Sequence, residues 1–319
     1  MQKILIYEYI TGGGLINEDL TSNLMHEATL ITKSLYRSGE NSRYFDCHYL
    51  LDYRLKNLHK DNSIIIRKQD DLYNTNFLRK YNYVLPVMPE SNLKLYDYAK
   101  FLEANKINML LSDSKTIKIC SDKYEFFKFI SNNKLNTIKT YLKHTKNMYG
   151  KKFVIKDRYG VGCSYVKVTK DINKLTIINS NNIIQDYIVG QDYSVSVFFT
   201  RHDFKLLTIN KQLIRINQNG QMYLSGIMVN IKDDRYIKII SIISKIKNIL
   251  PGLRGFVGID LLINDKEIFI IEINPRLTTS FIGVYDTLGI NIIDLIINSR
   301  YIKNTISGKK IFLNTYEEK

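Results

Sequence analysis

The sequence predicts a mixed fold, α/β at the N terminus and α+β after it, and three observations carry that expectation. Short apolar runs alternate with helically spaced segments over roughly the first 110 residues, the pattern of an open α/β layer. From Lys152 onward apolar runs follow one another across turns, as in antiparallel hairpins. Near the C-terminal end, Asp260 and Glu272-Ile-Asn274-Pro-Arg276 bracket two apolar runs joined at Asn264-Asp265-Lys266.

With 319 residues the chain exceeds one average domain, so two or three lobes are expected. Its 45% hydrophobic and 24% charged residues fit a globular rather than a disordered chain. No apolar run reaches the roughly 18 residues of a membrane span, and Met1-Gln-Lys3 leads into a strand-like Ile4-Leu-Ile-Tyr7 rather than a signal core. A cytoplasmic location without membrane contact is the expectation. Cys47, Cys120 and Cys163 stand far apart in no metal-ligand spacing, which favours reduced thiols. His26, His48, His59, His144 and His202 belong to no catalytic pattern.

The formal net charge of +15 raises the possibility of nucleic-acid binding. The charge is mostly lysine spread along the chain, however, with no basic helix or arginine-rich tail. A solvated surface or a preference for small anionic substrates fits better.

In chain order, Gln2–Ile10 reads as a buried first strand followed by the turn Thr11-Gly-Gly-Gly14. That run lacks the spacing of a pyrophosphate fingerprint, which leaves a structural turn, favoured over a substrate contact. A helix follows over 18–38, with apolar Leu24, Ala28, Ile31 and Leu35. Strand-like runs at Ser42–Phe45, Ser63–Ile66 and Tyr83–Val87 alternate with helical patterns at Leu72–Lys80 and Asn92–Asn105. A boundary is expected near Ser112–Lys118.

Beyond it, Ser121 or Asp122 caps a helix that carries Tyr124, Phe127 and Ile130 on one face. Lys123 in its first turn opposes the helix dipole, so either it points at an anion or it is simply solvated. Lys152–Lys156 and Tyr165–Val168 form a hairpin around Gly160-Val-Gly162-Cys-Ser164, which either folds over phosphates or is an ordinary turn. Ile183–Val189 leads through Gly190-Gln-Asp192 into Tyr193–Phe199, and Asp192 suits a ribose or is an exposed acid. Leu206–Arg215 is a strand carrying Lys211; Tyr236–Leu250 is a helix apolar on all sides that stops at Pro251-Gly252; Asn291–Ser299 is a closing helix.

In the last hairpin Asp260 and Glu272 fall opposite each other, and Asn274 shares the face of Glu272. Two carboxylates and an amide oxygen suit a hard cation such as Mg2+; the bland reading is a solvated hairpin end.

Taken in order, Ser121-Asp-Lys123, Val154-Ile-Lys156 with its glycine loop, Gln185-Asp-Tyr-Ile188, Gly190-Gln-Asp192, Asp260 and Glu272-Ile-Asn-Pro-Arg276 resemble the ATP-grasp superfamily over about 115–300. Within it, Tyr7–Gly14 and Asn274–Ser280 look like the tyramine–glutamate ligase family of methanofuran biosynthesis. The resemblance implies an ATP-grasp fold with an N-terminal open α/β layer over 1–114, a small lid subdomain over 115–188, and a C-terminal antiparallel-sheet subdomain with the metal site over 189–319.

It also implies roles. Lys123 and Lys156 would contact ATP phosphates, and Gly160 and Gly162 would let the lid close. Gln185, Tyr187 and Ile188 would frame adenine, and Asp192 would bind ribose. Asp260, Glu272 and Asn274 would hold Mg2+, or Mn2+. Arg276 and Lys211 would be catalytic, against the transferred phosphoryl group.

Two positions depart from the pattern: Asp157, where many relatives have proline, and Gly258, where some ligases carry arginine. The implied reaction is ATP-dependent joining of a carboxylate to an amine through an acyl phosphate, for which positioning and charge neutralisation suffice. A kinase or carboxylating enzyme on the same site, a nucleotide-binding regulator without turnover, and homodimerisation all stay open.

Overall fold

The structure is a computed structural model that describes residues 1–143, 151–162, 165–170, 181–298 and 308–315. His144, Cys163, Ser164, Ser299 and the Leu24 side chain, all used above, lie outside the described residues.

The N-terminal layer contains β1 (Gln2–Glu8), α1 (Ser22–Glu40), β2 (Phe45–Asp52), β3 (Ser63–Ile66), α2 (Thr75–Leu78), β4 (Tyr83–Val87) and α3 (Lys94–Ala104). The four strands are parallel in the order β3-β2-β1-β4. Strand alternation explains the layering. Ile4 and Ile6 cluster with Ile31 and Leu35 of α1, whereas Leu5 and Tyr7 cluster with Leu95 and Tyr98 of α3. A strand buried on both faces reads as a continuous apolar run, as β1 does.

Two expected elements shift here. The second strand begins at Phe45 rather than ending there, because the Ser42 hydroxyl accepts the Phe45 N–H (3.1 Å) and donates to Asp294 (2.6 Å), turning the chain first. The helix expected over Leu72–Lys80 breaks at Asn74, whose side chain accepts the Phe77 N–H and starts the short α2.

Within the expected boundary near Ser112–Lys118 a helix begins, α4 (Ser114–Ser121), capped by Asp113. It runs into α5 (Lys123–Asn132), capped by Asp122 rather than Ser121; Phe126 and Ile130, not Tyr124 and Phe127, are its buried side chains. A four-stranded antiparallel sheet follows: β5 (Thr140–Tyr141), β6 (Phe153–Asp157), β7 (Val166–Thr169) and β8 (Asn182–Asp186), in the order β5-β8-β6-β7. Phe153, Ile155 and Ile184 pack on one face, and Val154, Val166 and Val168 meet Tyr187 and Met222 on the other.

The large sheet is built from β9 (Gln191–Phe199), β10 (Phe204–Ile216), β11 (Met222–Val229), β12 (Gly255–Ile263), β13 (Ile268–Asn274) and β14 (Ile311–Asn314), in the order β13-β12-β9-β10-β11-β14. The connecting helices are α6 (Tyr236–Ile249), α7 (Phe281–Leu288) and α8 (Leu295–Asn298). α6 covers one face through Ile239, Ile243 and Ile246, which join Val195, Val197 and Ile259 in a single core. It is not buried all round, since Ile237 is 73% exposed. Of the expected closing helix only Leu295–Asn298 is helical among the described residues; β5, α7 and β14 had no counterpart in the sequence reading.

The small sheet touches the large one at the β10–β11 turn. The Val168 N–H donates to the Gly220 carbonyl (2.8 Å), and Lys167 bridges to Gln221. Gly220 has φ +78°, and a Cβ there would lie 2.5 Å from the Val168 carbonyl oxygen. No described helix is long and apolar enough to cross a membrane.

The run Thr11–Gly14 is buried. Gly12 donates to the Glu8 carbonyl (2.7 Å) and Gly14 to that of Tyr9 (2.8 Å), with φ +93° at Gly13. This is a packed turn. Its anchor is the Glu8 carboxylate, which accepts the Thr11 N–H (2.6 Å) and hydroxyl (2.7 Å). Burial outweighs these donors and pushes the Glu8 carboxyl up to about 7. A carboxyl raised in the fold keeps a proton that the unfolded chain releases, so its cost is absent below about pH 4.5 and complete above about pH 7. Replacing Glu8 with Gln is expected to raise unfolding free energy at pH 8.5 by up to about 3 kcal/mol, with no such gain near pH 4. Urea titrations at the two pH values measure this; equal effects at both would refute it.

Candidate active site

The chemistry-bearing face of the large sheet follows from parity. On β9, Tyr193, Val195, Val197 and Phe199 enter the α6 core, so Asp192, Ser194 and Ser196 face the other way. On β12 the odd positions from Val257 to Ile263 fill the same core, and Gly258 and Asp260 stand opposite, paired with Ser196 and Ser194.

β13 would put Glu272 into the core if its alternation were regular, because Ile268 and Ile270 face inward. The register instead shifts: Leu261 pairs with Ile270 and Asp260 with Glu272, leaving Ile271 as an extra residue. This bulge reverses the parity, buries Ile273, and brings Glu272 and Asn274 to the side of Asp260.

Asp260 accepts the Gln212 amide (3.0 Å) and the Asn274 amide (3.1 Å) on separate oxygens. Burial and the neighbouring Glu272 push the Asp260 carboxyl well above its ordinary range. Glu272, despite its own burial, is held below its ordinary value by Lys123 and then Lys156. The two carboxyls are therefore pushed in opposite directions, Asp260 upward and Glu272 downward. Two adjacent carboxylates that need one positive charge between them, with the Asn274 oxygen beside them, match a hard divalent cation. Among the described residues no cluster of three or more His, Cys, Asp or Glu side chains could hold a metal, so the donor set here is limited to these groups.

Three cations converge on Glu272. Lys123 Nζ lies 3.6 Å from Glu272 Oε2 and also donates to the Gly160 carbonyl. Lys156 shares the face of Val154, which looks across to Met222, and its charge acts on both Glu272 and Asp192. Arg276 contributes too. Asp192, half-buried at the end of β9, is raised by desolvation and partly relieved by Lys156.

Gln185 pairs with Val154 and shares its face; the side chain is buried, donates to Thr140 Oγ1 (3.0 Å), and leaves Oε1 without a described partner. The Tyr187 ring has Lys152 Nζ 3.9 Å from its centroid, and Ile188 is half-buried at the joint into β9.

Asp122 organises the glycine loop. While capping α5 at the Tyr124 and Glu125 N–H groups, it takes both Nε (2.8 Å) and Nη2 (2.6 Å) of Arg158 and the Tyr159 hydroxyl (3.1 Å). Asp157, in the place of the expected proline, accepts the Tyr159 N–H (3.1 Å), and a Cβ on Gly160 would lie 2.8 Å from its Cβ. The aspartate thus shapes the turn. Gly162 has φ +60°. At Gly258 a Cβ would come within 2.6 Å of Thr278, so this fold has no room for the arginine of other ligases there.

Lys211 is the one site candidate not brought to this face. It pairs with Tyr193 and shares the parity of Ile209, both in the α6 core, while its neighbour Gln212 reaches Asp260. Gln212 and Glu90 were missed, and of Asp122 the sequence suggested the helix cap but not the ion pair with Arg158. Glu90 follows β4 and binds Arg276, with Oε2 accepting from Nε (2.9 Å) and Nη2 (2.8 Å).

The ATP-grasp domain family matches residues 120–280, which include the small sheet, the large sheet apart from β14, and every residue of this constellation except Glu90. The tyramine–L-glutamate ligase of Methanocaldococcus fervens is 31% identical, covering 88% of this chain and 89% of that ligase. The chain belongs to the ATP-grasp family. As an ATP-grasp enzyme it is an ATP-dependent carboxylate–amine ligase, acting on small molecules with ATP and a divalent cation. The tyramine–L-glutamate ligase of Methanocaldococcus jannaschii is 27% identical over 98% of this ATP-grasp chain and 95% of its own. An ATP-grasp superfamily protein of Archaeoglobus fulgidus shares the fold, with a TM-score of 0.78 at 23% identity over 98% of this chain and 92% of that one.

The Asp122 junction yields a test. Asp122→Ala removes a helix cap and strands a mostly buried guanidinium, an expected loss of about 3 kcal/mol or more in urea unfolding. Asp122→Asn keeps the cap and should lose less; equal losses would mean that Arg158 gains nothing from the charge.

Proposed function

We propose that this ligase joins L-glutamate to tyramine or a closely similar aromatic amine, using Mg2+ and ATP in the cytoplasm. The observation that carries the reading is the 31% identity to a tyramine–L-glutamate ligase along nearly the whole of both chains. The site geometry supports it, because two lysines from α5 and β6 and the arginine after β13 act on the carboxylate pair of the large sheet.

In this reading Asp260, Glu272 and Asn274 would hold Mg2+, which would supply positive charge to offset that of the phosphates. Lys123 and Lys156 bind phosphates; in the present structure Glu272 occupies Lys123 as a stand-in anion. The backbone around Gly160 and Gly162 covers the phosphates. Gln185, Tyr187 and Ile188 surround the adenine, with the spare Gln185 Oε1 available to an amino group, and Asp192 meets the ribose. Arg276 faces the transferred group. Gln212 replaces Lys211 as the residue that β10 supplies, and it acts by orienting Asp260. The three sheets correspond to units over 1–114, 115–188 and 189–319.

Purified protein given ATP, Mg2+, L-glutamate and tyramine should release ADP and phosphate in step with an amide of the summed mass less water. ADP release that needs no amine, or no amide from any amine tried, would overturn the assignment. Glu272→Gln should abolish turnover while leaving the far-UV spectrum unchanged; full activity would remove the metal pair. Lys156→Ala should weaken ATP binding at least tenfold by titration calorimetry, and an unchanged affinity would take Lys156 out of the phosphate set.

A further inference from the structure

β1 and β4 are neighbours in the parallel sheet; from β1 the chain moves to β2 and β3 on one side, and then crosses back to form β4 on the other side of β1. The crevice beyond the carboxyl ends of such strands is where open α/β sheets take ligands. Glu8 ends β1, and Glu90 stands three residues past β4. Arg276 enters the same crevice from the large sheet.

Glu90 is 4% exposed. A guanidinium fork ordinarily engages both oxygens of a carboxylate. Here both Arg276 contacts fall on Oε2, and Oε1 is buried with no hydrogen-bond partner. A buried acceptor left in that state costs free energy unless a donor arrives from outside. Glu27, on α1, accepts the Thr279 hydroxyl, and its charge acts on both Glu8 and Arg276. Two acids, Glu90 and Glu27, thus act on one arginine in a chain whose net charge is +15. Arg276 also senses Glu272, so one side chain links Glu90 to the carboxylate pair.

We propose that Glu90, supported by Glu27, forms a subsite for the primary ammonium group of a substrate, with Glu90 Oε1 as the acceptor. The inference rests on the ligase reading. Its ligand chemistry has two sources, the α-ammonium of the amino acid or the ammonium of the amine, and neither requires a covalent step at Glu90. Glu90→Gln is the pointed variant: the amide oxygen still accepts from Arg276, and an NH2 group takes the place of the free acceptor.

Hydroxylamine, largely uncharged at pH 7.5, traps an activated carboxylate without needing an ammonium site. Hydroxamate formation is measured with ATP and Mg2+ from L-glutamate and from glutarate, which lacks the amino group, and amide formation from glutamate and tyramine. If the subsite holds the amino acid, Glu90→Gln raises the KM for glutamate at least tenfold in the hydroxamate assay and leaves that for glutarate unchanged. If it holds the amine, glutamate hydroxamate formation is unchanged and the KM for tyramine rises at least tenfold. Either result supports the subsite. The exposed Glu27→Gln should move the same constant less, and thermal stabilisation of the nucleotide-free protein by the corresponding ligand should disappear in Glu90→Gln. Unchanged KM values for both substrates, or equal losses with glutarate and glutamate, would overturn it and leave Glu90 as a tether for Arg276. A wild-type enzyme that makes neither hydroxamate nor amide would sink the ligase reading itself, and this one with it.

Discussion

Two like charges held side by side set the terms for the rest of this molecule. Asp260 and Glu272 are direct cross-strand partners. Carboxylates in that position repel, and burial aggravates the cost. The surrounding structure supplies what they lack: amides from Gln212 and Asn274 at Asp260, an ammonium from Lys123 beside Glu272, and the further charges of Lys156 and Arg276. Those groups come from four different stretches of chain. The small sheet, α5 and the large sheet are brought together at the point where the unfavourable pair needs compensation, and that compensation is also the chemistry a phosphoryl-transfer site requires.

Much of this was legible in the chain because it is local. The hairpin from Asp260 to Asn274 announces itself by two apolar runs and a turn, and Asn264 closes that turn by accepting the Lys266 and Glu267 N–H groups. The strands of the first layer stand out as buried apolar runs. Features that depend on register were not legible. A one-residue slip exchanges the faces of a strand, so the sequence of β10 does not tell whether Lys211 or Gln212 faces Asp260. The same sensitivity makes the bulge at Ile271 decisive, and no residue type there signals it. Glu90 lies 186 residues from Arg276, so nothing in the neighbourhood of either names the other. Short elements such as β5 and β14 are strands only because a partner edge receives them.

Asp122 shows how one side chain serves two levels of organisation. As a cap it satisfies N–H groups that the first turn of α5 cannot satisfy internally. As an ion-pair partner it draws Arg158 and Tyr159 onto that same helix end. Arg158 and the Tyr124 and Glu125 donors together hold the Asp122 carboxyl below the usual carboxylate range against its desolvation. The placement of Lys123 is a by-product. Being the next residue, it is fixed wherever the cap is fixed, and the cap is fixed by the loop it helps to cover.

The hydrogen bond from Val168 to the Gly220 carbonyl, with the bridge from Lys167 to Gln221, closes the space between the two sheets on the side away from α5. The small sheet is thereby fastened at two ends, by an ion pair at Asp122 and by a backbone contact at Gly220. The fastenings are unequal. A backbone hydrogen bond exchanged with water contributes only about 1 kcal/mol, whereas a mostly buried ion pair costs several times that to break. The small sheet is therefore held more loosely at the Gly220 end than at the Asp122 end, like a door that is hung on one side and only latched on the other.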